Sequence, residues 1–296
     1  MDLEEALRRA TAQLHDAGVP SPRADAELLA GHLMGLSRGR VAALALAGTA
    51  APEGYAKLVE RRATRIPLQH LTGVAYFRHL ELAVGPGVFI PRPETELLAQ
   101  LAIDRARTVL AARGSVRIVD LGTGSGAVAA AVASEVPGTE VHAVELSEAA
   151  YPFAERNTAP HGVRLHAGDL RTALDGEEGL FDVVVSNPPY IPPGAIPRDP
   201  EVRDHDPDLA LYGGGPDGLE LPRAVIATAE RLLVPGGFLA LEHADVQGPA
   251  MLRLFAASGR WSEVAGHRDL NDADRATSGY LARDRDPRHD MEEWTP

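Results

Sequence analysis

Strand-like segments rich in Val, Leu and Ile alternate with segments of helical periodicity from residue 116 to residue 242. The strand-like segments cover residues 116–121, 140–146, 163–167, 182–186 and 237–242, and the helical segments cover residues 127–136, 149–159 and 221–233. This alternation predicts a parallel sheet with helices on both faces, because each helix returns the chain to the same end of the sheet. We therefore expect an α/β fold with a doubly wound sheet, ending in an antiparallel pair over residues 262–269 and 278–283.

The first 72 residues have a different pattern, which predicts a small helical domain. Leu3, Leu7 and Leu14 recur at helical spacing, and three further apolar runs follow before the break at Pro67. Four or five helices are therefore expected over residues 1–72.

The rest of the chain divides into a linker, a larger domain and a tail. Residues 73–92 contain two short apolar segments and predict a β-hairpin linker. A larger domain is expected over residues 93–284, beginning with an amphipathic helix over residues 97–112. Residues 285–296 are charged and contain proline, so they predict a disordered tail.

Composition excludes several kinds of site. The chain has no cysteine, which excludes disulfides, thiolate zinc sites and cysteine nucleophiles, and no metal site is expected. A net charge of −13 argues against direct nucleic-acid binding, which needs many cations to neutralise phosphates. No apolar run is long enough to span a membrane, and the N-terminus is acidic, so we expect a cytoplasmic protein.

A glycine-rich turn lies between the first predicted strand of the sheet and the helix that follows it. It reads Gly122-Thr123-Gly124-Ser125-Gly126, and Glu145 ends the next strand, where an acidic side chain can accept hydrogen bonds from a ribose. These features predict a site for a nucleoside-containing cofactor. Further along, Asp169 follows the third strand, where it can accept from an adenine amino group, although it also suits a turn or helix cap.

Two classes of cofactor fit this turn. The spacing Gly122-x-Gly124-x-x-Ala127 also satisfies the dinucleotide fingerprint, which leaves a nicotinamide or flavin enzyme open. Asp120 favours S-adenosylmethionine instead, because a carboxylate attracts a sulfonium cation and repels a pyrophosphate.

The tetrapeptide Asn187-Pro188-Pro189-Tyr190 follows the fourth predicted strand and predicts a binding site for a planar NH2 group. The Asn187 side-chain oxygen and the Pro188 carbonyl are both acceptors, and the Tyr190 ring offers a flat face for stacking. We expect Asn187, Pro188 and Tyr190 to be catalytic, all four residues to bind substrate, and Asn187 to contact the cofactor as well. A proline-stiffened turn without function is the alternative.

In combination, these motifs resemble those of class I S-adenosylmethionine-dependent methyltransferases, and more narrowly those of the HemK-type release-factor glutamine methyltransferases. The resemblance covers about residues 1–284 and extends to three further segments: Gln69-His70-Leu71-Thr72-Gly73, Phe89-Ile90-Pro91-Arg92-Pro93-Glu94-Thr95-Glu96 and Leu209-Ala210-Leu211-Tyr212-Gly213-Gly214. It implies methylation of the side-chain amide nitrogen of the glutamine in the Gly-Gly-Gln motif of bacterial peptide-chain release factors. Release factors are then the protein partner, and we expect the helical domain of residues 1–72 to dock them. S-adenosylmethionine is then the cofactor, with Asp169 and Leu170 on its adenine side, and we expect a monomer.

The chain departs from this family at three places. Glu145 stands where aspartate is more common, and Asp206-Pro207 stands where glutamate-proline is common. The C-terminal pattern is altered to Asp269-Leu270-Asn271-Asp272-Ala273-Asp274-Arg275. These changes concern peripheral contacts more than the chemistry.

Three other functions remain possible on the sequence alone. An amino-methyltransferase acting on RNA or DNA bases presents the same kind of NH2 group to Asn187. A nicotinamide oxidoreductase leaves the tetrapeptide unexplained, and a noncatalytic translation-factor-binding protein would keep the cofactor fold only as a scaffold. No general base is evident, since His243 at a strand end reads as a structural residue.

Overall fold

The computed structural model of the protein describes residues 1–282, so the tail predicted for residues 285–296 lies outside the described residues. The chain forms two compact units. The first comprises Met1–Ala75, Ala83–Ile90 and Ile196–Asp206, and the second comprises Tyr76–Leu82, Pro91–Ala195 and the chain from Pro207 onward. The first unit thus includes residues 196–206, a segment from within the predicted larger domain.

Helices build the first unit, and five of them lie within residues 1–75, as predicted. The helices are α1 (Leu3–Asp16), α2 (Pro22–Met34), α3 (Arg38–Leu46), α4 (Tyr55–Ala63), α5 (Leu68–Thr72) and, from the third segment, α9 (Pro200–His205). The carboxylate of Asp2 caps α1 by accepting the Glu5 N–H at 2.8 Å. Leu3, Leu7 and Leu14 are fully buried along one face of α1 and form the centre of this unit's core.

A buried ion cluster also holds the first unit together. Arg62 of α4 donates to Asp25 of α2 and to Glu201 of α9, each at 2.8 Å, and its side chain is only 5% exposed. Arg65 binds the same Glu201. A buried carboxylate is costly without a cation, and Arg62 offsets that cost for both Asp25 and Glu201.

The predicted hairpin is confirmed as β1 (Val74–Phe77) and β2 (Leu80–Ala83), which form a two-stranded sheet. Arg78 in the connection has a φ of 54°, as a two-residue hairpin turn requires. The side chains of Phe77, Leu80 and Leu82 are buried in the core of the second unit.

The second unit contains the predicted α/β sheet. Its helices are α6 (Thr95–Arg113), α7 (Ala127–Glu135), α8 (Tyr151–Thr158), α10 (Asp208–Leu211), α11 (Glu220–Leu232) and α12 (Gly248–Ala257). Its strands are β3 (Val116–Leu121), β4 (Thr139–Glu145), β5 (Arg164–Ala167), β6 (Phe181–Ser186), β7 (Leu233–Glu242), β8 (Trp261–Arg268) and β9 (Asp274–Leu281). Short 3-10 turns cover Ala159–His161 and Asp245–Gln247.

The seven strands lie in the order β5-β4-β3-β6-β7-β9-β8. Strands β3 to β7 are parallel, and β9 runs antiparallel to both β7 and β8, which confirms the terminal antiparallel pair. Ile118 and Val183 are buried in one apolar core, and Val119 and Val184 in another, because alternate side chains point to opposite faces. Both faces are therefore covered, and the predicted doubly wound sheet is confirmed.

This strand order determines where a site can form. The chain goes from β3 outward to β4 and β5, then returns to place β6 on the other side of β3. Ligands bind at such a switch point, in the crevice beyond the carboxyl ends of the strands. The ends of β3 and β6 are joined there by the Ser186 hydroxyl, which donates to the Leu121 carbonyl at 2.6 Å.

One helix of substantial length has no counterpart among the sequence predictions. Helix α12 begins at Gly248-Pro249, a pair that suggests a break in the chain. Proline is nevertheless well suited to the first turn of a helix, where its missing N–H has no partner to lose.

None of the helices described within residues 1–282 is long and apolar enough to cross a bilayer.

Candidate active site

The glycine-rich turn lies between β3 and α7, as predicted. Gly122, Gly124 and Gly126 have φ values of 75°, 60° and 83°, a region that disfavours other residues. A Cβ atom on Gly126 would lie 2.6 Å from the Thr158 methyl, so this glycine allows α7 to approach α8. A Cβ atom on Gly122 or Gly124 would meet nothing within 4 Å, so that side of the turn is open to a ligand.

Glu145, at the end of β4, holds this turn in place through hydrogen bonds. One carboxylate oxygen accepts the Gly124 N–H at 2.7 Å and the other accepts the Ser147 N–H at 2.7 Å. Burial raises the pKa of Glu145, while these two N–H donors oppose the shift. The Leu146 N–H also interacts with this carboxylate. An ionised carboxylate has about four lone-pair sites, so Glu145 can hold the turn and still accept a ribose hydroxyl.

Asp120 is a fully buried carboxylate just before the turn. Its Oδ2 atom accepts the Thr123 hydroxyl at 2.6 Å, and burial raises the pKa of Asp120 to about 7. A cation nearby would lower that pKa and stabilise the charged form. The buried carboxylate, the open turn and Glu145 therefore fit a cationic nucleoside such as S-adenosylmethionine.

Ser125, Asp169 and Leu170 complete the predicted cofactor set. The Ser125 carbonyl accepts the Asn157 side-chain amide at 2.8 Å, which ties the turn to α8. Asp169 follows β5 and accepts the Arg171 N–H at 2.9 Å, so it caps a turn. Leu170 packs partly buried against one of the two cores. The contacts of Asp169 match the capping alternative, and its role toward adenine stays a prediction.

The tetrapeptide leaves β6 at the same edge of the sheet. Asn187 donates from Nδ2 to the Thr95 hydroxyl at 3.3 Å. Among residues 1–282, neither the Asn187 Oδ1 atom nor the Pro188 carbonyl takes part in a hydrogen bond. Two acceptors thus remain at neighbouring positions, as the prediction of an NH2-binding site requires.

The backbone after the tetrapeptide is held by residues 211–218. The Ile191 N–H donates to the Leu211 carbonyl at 2.9 Å, and the Gly213 N–H donates to the Ile191 carbonyl at 3.0 Å. A Cβ atom on Gly213 would lie 2.0 Å from the Gly218 carbonyl oxygen and 2.5 Å from that of Pro189. The glycines of this segment therefore permit direct contact between the two backbones.

Gln247 adds a further contact to this backbone. Its Nε2 atom donates to the Tyr190 carbonyl at 2.9 Å and to the Asp217 carbonyl at 3.2 Å. Its Oε1 atom accepts the Ala244 N–H at 3.0 Å. One buried amide thus joins the tetrapeptide, the 211–218 segment and the end of β7.

A buried carboxylate, Glu242, lies at the end of β7 beside the tetrapeptide. Its residue is 1% exposed, and the hydroxyls of Thr95 and Tyr190 face its carboxylate and favour the charged form. Its Oε2 atom has no hydrogen-bond partner among residues 1–282. Burial raises the pKa of Glu242 to about 7, and Arg275 opposes that shift.

Arg275 brings the altered C-terminal segment next to this carboxylate. Its guanidinium binds Asp269 at 3.2 Å and also interacts with the Tyr190 hydroxyl. Burial raises the pKa of Tyr190, so this hydroxyl remains protonated and able to donate. His243, the next residue along β7, contacts the Ala244 carbonyl at 2.9 Å and the Thr277 hydroxyl at 3.0 Å. Both ring nitrogens are thus engaged within the fold.

Sequence reasoning did not assign Thr95, Glu242, Gln247 or Gly218 to the site. Thr95 was included only in a family segment, and Glu242 only as the end of a strand. One signal was available: an acidic residue directly follows the apolar run Phe238-Leu239-Ala240-Leu241, at the edge of the sheet where ligands bind.

Known protein families match two parts of the chain. The PrmC N-terminal domain family matches residues 5–73, and the methyltransferase small domain family matches residues 95–196. The release factor glutamine methyltransferase of Streptomyces coelicolor is 51% identical over 277 residues, which cover 93% of this chain and 97% of that protein.

Two further similarities are to a relative named for a different substrate and to a solved structure. The 4-amino-L-phenylalanine/4-methylamino-L-phenylalanine methyltransferase of Streptomyces pristinaespiralis is 43% identical, over 91% of this chain and 92% of that protein. A solved methyltransferase structure from Pyrococcus furiosus superimposes with a TM-score of 0.51, at 22% identity, over 75% of this chain and 98% of that chain. The last similarity concerns the fold alone.

Proposed function

Because the chain belongs to the release factor glutamine methyltransferase family, we propose that it methylates the glutamine side-chain amide in the Gly-Gly-Gln motif of bacterial release factors, with S-adenosylmethionine as methyl donor. The observation that supports this substrate most directly is the pair of unoccupied acceptors on Asn187 and Pro188. A primary amide has two N–H bonds in one plane, and two neighbouring acceptors can bind both.

Asn187 and Pro188 act by positioning the substrate nitrogen. An amide nitrogen is a weak nucleophile because its lone pair is delocalised into the carbonyl. The Asn187 Oδ1 atom and the Pro188 carbonyl accept its two N–H bonds, and Tyr190 packs against the amide plane. Holding the reacting atoms close and aligned is worth up to about 7–11 kcal/mol of the barrier. Methyl transfer would form a bond from this nitrogen to the methyl carbon and break the bond from that carbon to sulfur, and the nitrogen would release one proton.

The residues near β3 and β4 hold the cofactor. When bound, S-adenosylmethionine supplies an electrophilic methyl group on a sulfonium. Gly122 to Gly126 allow close approach to the turn, and Glu145 accepts from the ribose hydroxyls. Asp120 contributes a negative charge that favours the cation over the neutral product, S-adenosylhomocysteine.

The first test is transfer of labelled methyl to purified release factor. Wild-type factor, a factor with Gln→Ala in its Gly-Gly-Gln motif, total cellular RNA and free 4-amino-L-phenylalanine serve as parallel substrates. We expect label on the wild-type factor alone. Label on RNA would support the base-methylating alternative, and label on the amino acid would assign a small-molecule substrate instead.

Asn187→Ala tests the role of the tetrapeptide within that assay. We expect turnover to fall at least roughly a hundredfold, as for loss of one preorganised polar contact. Affinity for S-adenosylhomocysteine should change much less. Asn271→Ala is the matched control, because Asn271 is exposed and its side chain forms no hydrogen bond within residues 1–282. Near-normal turnover of the Asn187 variant would contradict the assignment.

Two further properties follow as proposals. Release factors act on ribosomes, so we place the enzyme in the cytoplasm. We also propose that it acts as a monomer, which sedimentation of the purified protein with and without release factor would test. With a net charge of −13, direct nucleic-acid binding is not expected.

A further inference from the structure

Glu242 and Asn187 lie at the carboxyl ends of neighbouring strands. Strands β6 and β7 are parallel with Ser186 opposite Leu241; Asn187 directly follows Ser186, and Glu242 directly follows Leu241 as the last residue of β7. Glu242 follows four buried apolar residues and is itself 1% exposed. Burying a carboxylate carries a desolvation cost that its partners must offset, so stability alone does not account for this carboxylate.

We propose that Glu242 is a positioning residue that acts through Thr95 to fix the Asn187 amide in the orientation that receives the substrate NH2 group. The proposal rests on the proposed function, because it concerns the same tetrapeptide. It assigns a role to two residues, one at the start of α6 and one at the end of β7, that neither the sequence motifs nor the relatives' names indicate.

The direction of the hydrogen bonds carries the argument. A threonine hydroxyl has one proton to donate, whereas an ionised carboxylate can only accept. Thr95 faces the Glu242 carboxylate, so its proton points there, and its oxygen is left to accept from Asn187 Nδ2 at 3.3 Å. The Asn187 Oδ1 atom then remains available for the substrate.

The opposite orientation would not support the reaction. If the Thr95 hydroxyl donated to Asn187 instead, the asparagine amide would turn over and present its N–H groups to the substrate's N–H groups. Donors facing donors repel one another, and the half-buried Asn187 amide would lose its bond to substrate. Glu242 prevents this orientation because its carboxylate accepts the Thr95 hydroxyl proton, which leaves the Thr95 oxygen to accept from Asn187.

The same carboxylate also restrains Tyr190. The Tyr190 hydroxyl faces Glu242 and interacts with Arg275, so the ring has a fixed partner at its polar end. The charged groups around Glu242 are therefore Arg275, which favours its ionised form, and Glu94, which opposes it. Both functional side chains of the tetrapeptide are thus oriented from one buried group.

A set of variants at Thr95 and Glu242 tests the proposal. Thr95→Val keeps the shape and removes the hydroxyl, and Glu242→Gln keeps the shape and adds a competing donor. We expect each to lower kcat roughly 10- to 100-fold, the scale of a small misplacement of reacting groups. The double variant should lose no more kcat than the worse single variant, because both substitutions break the same series of hydrogen bonds. Thr95→Ser should retain activity within about threefold, since serine keeps the hydroxyl.

Controls separate positioning from general damage. Thr108 lies in the same helix, and among residues 1–282 its hydroxyl binds only the Asp104 carbonyl, so Thr108→Val should leave kcat unchanged. The affinity for S-adenosylhomocysteine should stay near wild type in every variant, and so should the unfolding temperature of the Thr95 variants. With the cofactor saturating, wild-type kcat should fall as the pH drops through about 7, and Glu242→Gln should lose this limb.

A crystal structure of Thr95→Val with S-adenosylhomocysteine gives a readout that does not depend on activity. We expect the Asn187 amide to turn or to adopt more than one orientation. An unmoved amide, additive losses in the double variant, or full activity of Thr95→Val would each overturn the proposal. If wild-type enzyme labelled no release factor, the proposed function would fail, while the Asn187 orientation would still decide the present inference.

Discussion

Gly213→Ala should disable the enzyme by moving the tetrapeptide, although Gly213 has no side chain of its own to place in the site. The added Cβ atom would lie 2.0 Å from the Gly218 oxygen, 2.5 Å from the Pro189 oxygen and 2.8 Å from the Tyr190 Cα atom. Ordinary contact begins at 3.4 Å, so the largest overlap is 3.4 − 2.0 = 1.4 Å. All three neighbours are backbone atoms, so no side chain can rotate away. Separation of the two segments by about 1 Å is the expected response.

A displacement of that size is expected to lower kcat about a hundredfold, because misplacement by 1 Å is worth roughly that factor. Overpacking should also cost about 1–3 kcal/mol of unfolding free energy. Both quantities are measurable, by methyl transfer to release factor and by urea unfolding. Gly266→Ala is the matched control, because a Cβ atom there meets nothing within 4 Å and the φ of Gly266 is not positive. A Gly213 variant as active and as stable as the Gly266 variant would refute the steric argument.

Three other perturbations have defined outcomes. Arg62→Met should lower the free energy of unfolding, measured in urea, by about 3–5 kcal/mol, because Asp25 and Glu201 lose their shared cation. Arg8→Met, which breaks an exposed ion pair, should change that free energy little, and equal effects of the two variants would contradict the argument. Asp120→Asn should weaken S-adenosylmethionine binding by roughly tenfold or more in calorimetry and leave the neutral S-adenosylhomocysteine nearly unaffected; equal losses for both ligands would remove the charge argument. Glu242 has a folded-state pKa raised to about 7. The folded protein therefore binds more protons than the unfolded chain between about pH 4.5 and 7, and the contribution of Glu242 to stability falls as the pH rises through that window. Glu242→Gln should flatten that part of the stability–pH profile, and an unchanged slope would argue against the raised pKa.

The regular part of the fold could be predicted from sequence because local pattern and tertiary structure agree. Strand β3 matches its predicted bounds, and the other parallel strands begin and end close to theirs, apart from the earlier start of β7. Such strands are buried on both faces and read as continuous apolar runs. Helix α12 was missed because its first residues, Gly248-Pro249, have the composition of a break.

The site could be predicted only where one segment carries the whole signal. The glycine turn and the tetrapeptide are each continuous in sequence, and each lies at the end of its predicted strand. Thr95 and Glu242 are 147 positions apart in the sequence. They become neighbours only through the register of β6 and β7 and the start of α6. A single sequence contains no record of that register, so their connection to Asn187 required the structure.

The tetrapeptide is fixed to the rest of the protein mainly through backbone atoms, and this limits how it can be reused. The carbonyls of Pro189, Tyr190 and Ile191 contact Gly213, Gln247 and the 211–218 segment, and none of these partners belongs to the tetrapeptide. An engineer who transplanted residues 187–190 into another methyltransferase would carry over the acceptors without the parts that aim them. A portable amide-methylating module would have to include the 211–218 segment, Gln247 and the Thr95–Glu242 pair as well.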